Sequence, residues 1–179
     1  RSSMAEILII DDHDSMREGL ELLLRRRGHR TRSAESGKKG LELLGEGSAD
    51  LVITDLKMSR MDGIEVLRRV KEASADTEVM VITAHGTIET VVEAMKLGAA
   101  DFITKPFSSE EFAVKVDRLL ADRAERQRLV RENVALRVEN TYLRERVIKA
   151  AARQRQGMLL ASGSSPETGQ GLPLPYIHD

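Results

Sequence analysis

The 179-residue chain has no cysteine and no tryptophan, and its aromatic residues number only three phenylalanines and two tyrosines. Without thiols it can form neither disulfides nor thiolate metal sites, a composition that fits a reducing compartment. With so few rings, a core must be aliphatic, and a hydrophobic content of 41% is enough to build one. Proline is limited to four residues, and the stretch from Phe112 to Gln156 holds neither proline nor glycine, so nothing there interrupts a helix. An excess of one charge is also lacking. Against 29 acidic residues stand 28 basic ones, a formal charge of -1, which gives no global pull toward nucleic acid or anionic lipid. Apolar runs fall far short of a membrane span, and no signal-peptide h-region opens the chain. The expectation is a cytoplasmic protein without membrane contact. Arg1-Ser2-Ser3 ahead of Met4 reads as added sequence and is set aside from the fold.

Through the first two-thirds of the chain, short apolar runs alternate with amphipathic stretches, the pattern of βαβ units around a parallel sheet. Strands are expected near residues 6–10, 29–33, 50–54, 78–82 and 101–104. Helices are expected at 14–27, 36–44, 63–73 and 87–97, with a fifth capped by Ser108 or Ser109 and opening on Glu110-Glu111. Gly28 and Gly98 read as helix stops. His29 to Ser33 is the most polar of the strands and suits a sheet edge.

Where the apolar runs end, chemistry begins. Ile7-Leu8-Ile9-Ile10 closes on Asp11-Asp12, and Leu51-Val52-Ile53-Thr54 closes on Asp55. If both runs are buried parallel strands, the three carboxylates meet at one C-terminal sheet edge, where open α/β folds place their sites. Such a cluster repels itself unless a cation sits in it, and an all-oxygen set suits a hard divalent ion, most simply Mg²⁺. Val79-Met80-Val81-Ile82 adds the hydroxyl of Thr83, and Asp101-Phe102-Ile103-Thr104 adds the ammonium of Lys105. Phosphoryl transfer to a carboxylate needs these groups: a nucleophilic carboxylate, positive charge against the equatorial oxygens and a hydrogen-bonding hydroxyl.

Taken in order and spacing, Asp11-Asp12, Asp55, Met61-Asp62-Gly63, Thr83-Ala84 and Lys105-Pro106-Phe107 resemble the receiver domain of bacterial two-component response regulators, over roughly residues 4–122. The resemblance implies a flavodoxin-like, doubly wound sheet of five parallel strands in the order 2-1-3-4-5. It implies that Asp55 accepts a phosphoryl group from a sensor histidine kinase, and that Mg²⁺ is held by Asp12, Asp55 and the backbone carbonyl of Lys57, with Asp11 acting through water or a second shell. Lys105 would pair with Asp55 and then with the phosphoryl group, across a cis peptide to Pro106. Thr83 and Phe102 would form the switch, the hydroxyl moving toward the phosphoryl oxygens as the ring turns inward; static core is the other reading of Phe102. His13 and His85 lie near the pocket, and His85 with Lys57 falls at positions that tune solvent access in the family. His29 and His178 carry no functional case. The loop departs from the family pattern at Ser59, where proline is usual, and this is expected to loosen it. The Ala84-His85-Gly86 and Glu93-to-Phe102 stretches are closest to the nitrogen- and dicarboxylate-regulating subclass of sigma-54-dependent activators.

From about Asp122 the helical pattern changes to heptads. With Leu129, Leu136, Leu143 and Ala150 at d, position a carries Arg126, Asn133, Asn140 and Val147. Asn pairs at a cost stability but fix register and two-stranded assembly. Glu132 and Glu139 at g face Arg137 and Arg144 at e of a parallel partner, each exposed pair contributing only ~0.2–1 kcal/mol. The organisation expected is a receiver at 4–122, a parallel homodimeric coiled coil at 123–156 and a flexible Gly-, Ser- and Pro-rich tail at 157–179. Gly163-Ser164-Ser165-Pro166 is similar to the opening of an AAA+ ATPase output domain, although no phosphate loop follows it. Other functions fit less well. A haloacid-type phosphatase needs an Asp where Lys57 stands. A basic zipper needs a basic block ahead of the heptads, and Glu125, Glu132 and Glu139 would repel phosphates, so no direct nucleic-acid contact is expected. A stand-alone receiver and dimerisation module without DNA output is the remaining alternative.

Overall fold

A computed structural model describes residues 3–84 and 88–163. Five parallel strands, β1 (Glu6–Ile10), β2 (Arg30–Ala34), β3 (Leu51–Asp55), β4 (Glu78–Thr83) and β5 (Asp101–Thr104), form one sheet in the order β2-β1-β3-β4-β5. Between them run α1 (Asp14–Arg26), α2 (Gly37–Glu46), α3 (Gly63–Ala73) and α4 (Ile88–Lys96), and α5 (Ser109–Ala161) follows β5. The flavodoxin-like architecture is as expected from the sequence, with the polar β2 at one edge. Element ends differ from expectation by a residue or two. α2 continues through Gly45 to end at Gly47, whose extended backbone closes the helix.

The apolar runs carry a hidden period of two. Ile7, Ile9, Leu51, Ile53, Met80, Ile82 and Ile103 pack on one face with Leu20 and Leu24 of α1 and Phe112, Val116 and Leu119 of α5. Their neighbours Leu8, Ile10, Val52, Val79 and Val81 pack on the other with Val66, Leu67 and Val70 of α3 and Ala94 of α4. Alternate side chains of a strand point to opposite faces, so a run that is apolar at every position is covered on both sides. The rings are confined: Phe107 stacks on Phe112 at 5.7 Å between centroids, and Phe102 is half-buried against the second cluster.

Local signals set the helix starts. Ser36 accepts a hydrogen bond from the Lys39 N–H at the head of α2, and Asp62 accepts one from the Glu65 N–H at 2.9 Å at the head of α3. Gly63 is required for a different reason. A Cβ there would stand 2.3 Å from the Asp55 carbonyl oxygen, so α3 begins pressed against the end of β3.

The chain divides into two compact units, Arg1–Arg128 and Leu129–Asp179, with α5 contributing to both. The first unit therefore runs past residue 122, where the receiver was expected to end. Those extra residues have partners at the N-terminal sheet edge. Arg123 pairs with Asp50 at 2.8 Å and Asp76 at 2.9 Å, Gln127 Nε2 donates to Asp76 at 2.8 Å, and Arg126 pairs with Glu78. Arg126, expected at an a position of the heptads, thus has a partner within the first unit. In the second unit the helix also outlasts its expected end. It continues through Gly157 to Ala161, because one glycine costs a helix only ~1 kcal/mol and Met158-Leu159-Leu160-Ala161 are strong helix formers. The rest of the expected tail, 164–179, lies outside the described residues. Leu129, Leu136, Leu143 and Val147 are exposed, as are Asn133 and Asn140. No described helix is long and apolar enough to cross a membrane.

Candidate phosphoacceptor and metal site

The site is built where β1, β3 and β5 end. Asp55 is the last residue of β3, in register with Ile82 of β4, while Ile10 of β1 pairs with Thr54. Asp11 follows β1 directly and is held there by its N–H, which donates to the Ala34 carbonyl. Parallel register thus delivers both carboxylates to one edge, each almost wholly buried. Lys105, just beyond β5, brings its Nζ to 2.7 Å from Asp55 Oδ2 and 3.7 Å from Asp11 Oδ2. Its N–H donates to the Thr83 carbonyl at 2.8 Å, and the Lys105–Pro106 peptide is cis. Partial burial, the largest single influence on this ammonium, lowers its pKa. The hydrogen bond to Asp55 and the charges of Asp11 and Asp55 together outweigh burial, so the pKa lies above that of an ordinary lysine.

The other residues expected at the site lie on β4 and β5 or just after β1 and β3. Lys57 donates its backbone N–H to Asp55 Oδ1 at 2.9 Å, with its own side chain exposed. Asp12 sits at the rim, where Oδ2 accepts the Ser59 N–H at 3.3 Å. Thr83 ends β4, buried and beside Thr104 in the ladder. Phe102 lies on β5 with the Lys115 ammonium 5.7 Å from its ring centroid. His85, expected to tune solvent access, lies outside the described residues.

Three features were missed in the sequence. His13, given little weight there, places Nδ1 3.1 Å from Asp11 Oδ1 and 3.1 Å from Asp12 Oδ1. Arg17 donates from Nη1 to the Asp11 carbonyl at 2.8 Å and from Nη2 to Asp14 at 2.6 Å, so it braces the β1–α1 loop that carries the carboxylates. Its position one helical turn after Asp14 was the available signal. Ser59, expected to loosen its loop, offers a backbone N–H that donates to Asp12 Oδ2 at 3.3 Å, a contact a proline has no N–H to make.

The donor set fits a hard divalent cation. Asp11 Oδ2 and Asp12 Oδ1 are buried and make no well-formed hydrogen bond; their charged neighbours are Lys105 Nζ at 3.7 Å from the first and His13 Nδ1 at 3.1 Å from the second, and buried carboxylate oxygens so poorly satisfied are costly. Ligand atoms from Asp11, His13 and Asp55 lie within 4.8 Å of one another. One ammonium faces more negative charge than it can balance.

Comparison with known proteins gives the same reading. The profile of the family described as "Response regulator receiver domain" matches residues 7–117. Regulatory protein AtoC of Escherichia coli (strain K12) is 35% identical over 119 residues, 66% of this chain and 26% of AtoC. The transcriptional regulatory protein FixJ of Bradyrhizobium diazoefficiens is 32% identical over 149 residues, 82% of this chain and 73% of FixJ. The crystal structure of NtrX from Brucella abortus superposes with a TM-score of 0.67 at 32% identity, covering 71% of this chain and 29% of NtrX. The chain therefore spans about a quarter of AtoC and NtrX and nearly three-quarters of FixJ. A parallel 2-1-3-4-5 sheet, an aspartate pair after β1, an aspartate ending β3 and a lysine after β5 salt-bridged to it are thus accompanied by a family match over most of the first unit, and the chain belongs to the response regulator receiver domain family.

Proposed function

We propose that the chain is the phosphoacceptor switch of a two-component system, with Asp55 as the phosphorylated residue. The observation that carries this is the 2.7 Å pair between Lys105 Nζ and the buried Asp55 Oδ2, with Asp11 alongside. In the transfer, an Asp55 carboxylate oxygen forms a bond to phosphorus as the bond from phosphorus to the donor's imidazole nitrogen breaks. That nitrogen keeps the electron pair, and the product is an acyl phosphate. Lys105 is already placed to offset charge on the incoming oxygens, and the Lys57 N–H holds the other Asp55 oxygen in line. Asp11, Asp12, Asp55 and the Lys57 carbonyl would hold Mg²⁺, which when bound supplies further positive charge against the phosphoryl oxygens. The Thr83 hydroxyl and Phe102 ring are the switch pair: Thr83 is buried at the end of β4, and the half-buried Phe102 has room for two packings.

The kinase is a histidine kinase, and the second participant is another copy of this chain. Exposed Leu129, Leu136, Leu143 and Val147 with Asn133 and Asn140 form one seam of helix. Burying one such Leu is worth roughly 1.5–3 kcal/mol, which favours a parallel two-stranded coil over 129–156. The resemblance to sigma-54-dependent activators makes a transcription-activating output domain the target of the switch, in the cytoplasm. Regulatory proteins among its relatives support that reading.

Incubation with Mg²⁺ and acetyl phosphate, followed by intact-mass measurement and peptide mapping, tests the site. One phosphoryl group on Asp55, absent without Mg²⁺ and absent in Asp55→Ala, is expected. Retained phosphorylation of Asp55→Ala would sink the assignment.

A further inference from the structure

His13 stands at the N-cap of α1, but its side chain makes no capping hydrogen bond to that helix, the usual work of a residue there. Its Nδ1 lies instead at 3.1 Å from a carboxylate oxygen of Asp11 and 3.1 Å from one of Asp12. An octahedral ion with bonds of ~2.1 Å sets neighbouring ligands about 3 Å apart, so each of the two nitrogen-to-oxygen distances matches the spacing of neighbouring ligands in one coordination shell. Asp55 contributes a further oxygen within 4.8 Å of the Asp11 and His13 ligand atoms. A separate observation favours a cation here: Asp11 is completely buried, and its Oδ2 makes no hydrogen bond although the Lys105 ammonium stands 3.7 Å away.

We infer that His13 Nδ1 is a metal ligand, and that the centre accepts a late first-row divalent ion of the Co²⁺ or Ni²⁺ type through this nitrogen, in addition to Mg²⁺ through the oxygens. The inference rests on the metal centre of the proposed switch. Its chemical basis is selectivity. Mg²⁺ is hard and gains little from imidazole, whereas Co²⁺, Ni²⁺ and Zn²⁺ bind it well. Without a metal, Nδ1 donates to the Asp11 carboxylate at 3.1 Å; a metal ion would take the place of that proton, the neutral ring then offering the Nδ1 lone pair and keeping its proton on Nε2, and the side chain is 67% exposed. An all-oxygen pocket would rank these ions by the ordinary affinity order alone. This one adds a term that depends on a single exposed side chain.

Isothermal titration of the full chain with MgCl₂ and with NiCl₂ separates the two contributions, using wild type, His13→Ala and His13→Gln. Ni²⁺ affinity is expected to fall at least about tenfold in both variants, a loss no smaller than that from removing an outer-shell partner, while Mg²⁺ affinity stays within about twofold. The visible absorption of bound Co²⁺ should change in parallel as a nitrogen is replaced by water. Equal losses for both ions, or none for either, would overturn the inference. So would an unchanged Ni²⁺ affinity in Asp55→Asn, which would place the ion at another histidine. Failure of wild type to bind Mg²⁺ would strike the metal centre of the proposed switch itself, whereas normal Mg²⁺ binding with Ni²⁺ indifferent to His13 would overturn this assignment alone.

Discussion

Two almost wholly buried carboxylates share one ammonium: Lys105 lies 2.7 Å from Asp55 and 3.7 Å from Asp11. Like charges this close cost energy when no metal is present. Asp11→Asn keeps an oxygen to accept the His13 N–H, which donates to Oδ1 at 2.8 Å, while removing one charge. It should raise stability in EDTA by on the order of 1 kcal/mol and lose that advantage in millimolar Mg²⁺, as read by urea unfolding. A second residue far from the site gives a pH test. His29 is buried, and its Nδ1 accepts the Ala5 N–H at 3.3 Å, so the neutral ring carries its proton on Nε2. Desolvation by burial lowers its pKa, the nearby Asp117 charge partly opposing and Arg27 adding to the shift. The unfolded chain then takes up a proton more readily than the folded one. Stability is full above the ordinary histidine pKa and declines as pH falls from there toward the lower folded value. His29→Asn, which retains an acceptor for Ala5, should flatten the wild-type decline below about pH 6.5; an equal slope in both proteins would remove His29 as its source. Residue identities at the site were legible because each follows a strand of diagnostic spacing. The environments of His13 and His29 were not, since no local pattern reports what a side chain meets across the fold.

Elements were read well where a run was long and apolar, and less well at their ends, where single contacts decide. The start of α3 is one such contact. Gly63→Ala would drive a methyl group to within 2.3 Å of the Asp55 carbonyl, so either α3 or the end of β3 must move. A loss of roughly 2–4 kcal/mol is expected, together with slower acetyl phosphate labelling, as seen by unfolding and mass measurements. The other contact is at residues 123–127. Heptad counting placed Arg126 in a coiled-coil seam, but Glu78, distant in sequence, holds it in the first unit. Sequence periodicity sees one helix at a time and cannot register an acid on another strand. Arg123, largely buried between Asp50 and Asp76, should cost roughly 1–2 kcal/mol when replaced by Ala. Amide exchange would rise first in α5 around residues 120–128.

At the scale of the whole molecule, the proposed assembly and the proposed switch both involve α5. The proposed coil pairs Asn133 with Asn133 and Asn140 with Asn140 of a partner, so replacing both by Leu should raise the melting temperature of the helix while broadening the species seen in sedimentation from dimer to larger forms. A wild-type tetramer in the same experiment would exclude the two-stranded reading. The scarcity of aromatic residues has an optical consequence. All three phenylalanines, Phe102, Phe107 and Phe112, belong to the first unit, while Tyr142 is exposed in the second and Tyr176 follows it in the chain. No tryptophan covers either signal. Phenylalanine fine structure therefore reports on the first unit and Tyr142 emission on the helix beyond it, and a Tyr142 response to acetyl phosphate would be a label-free recording of a message arriving.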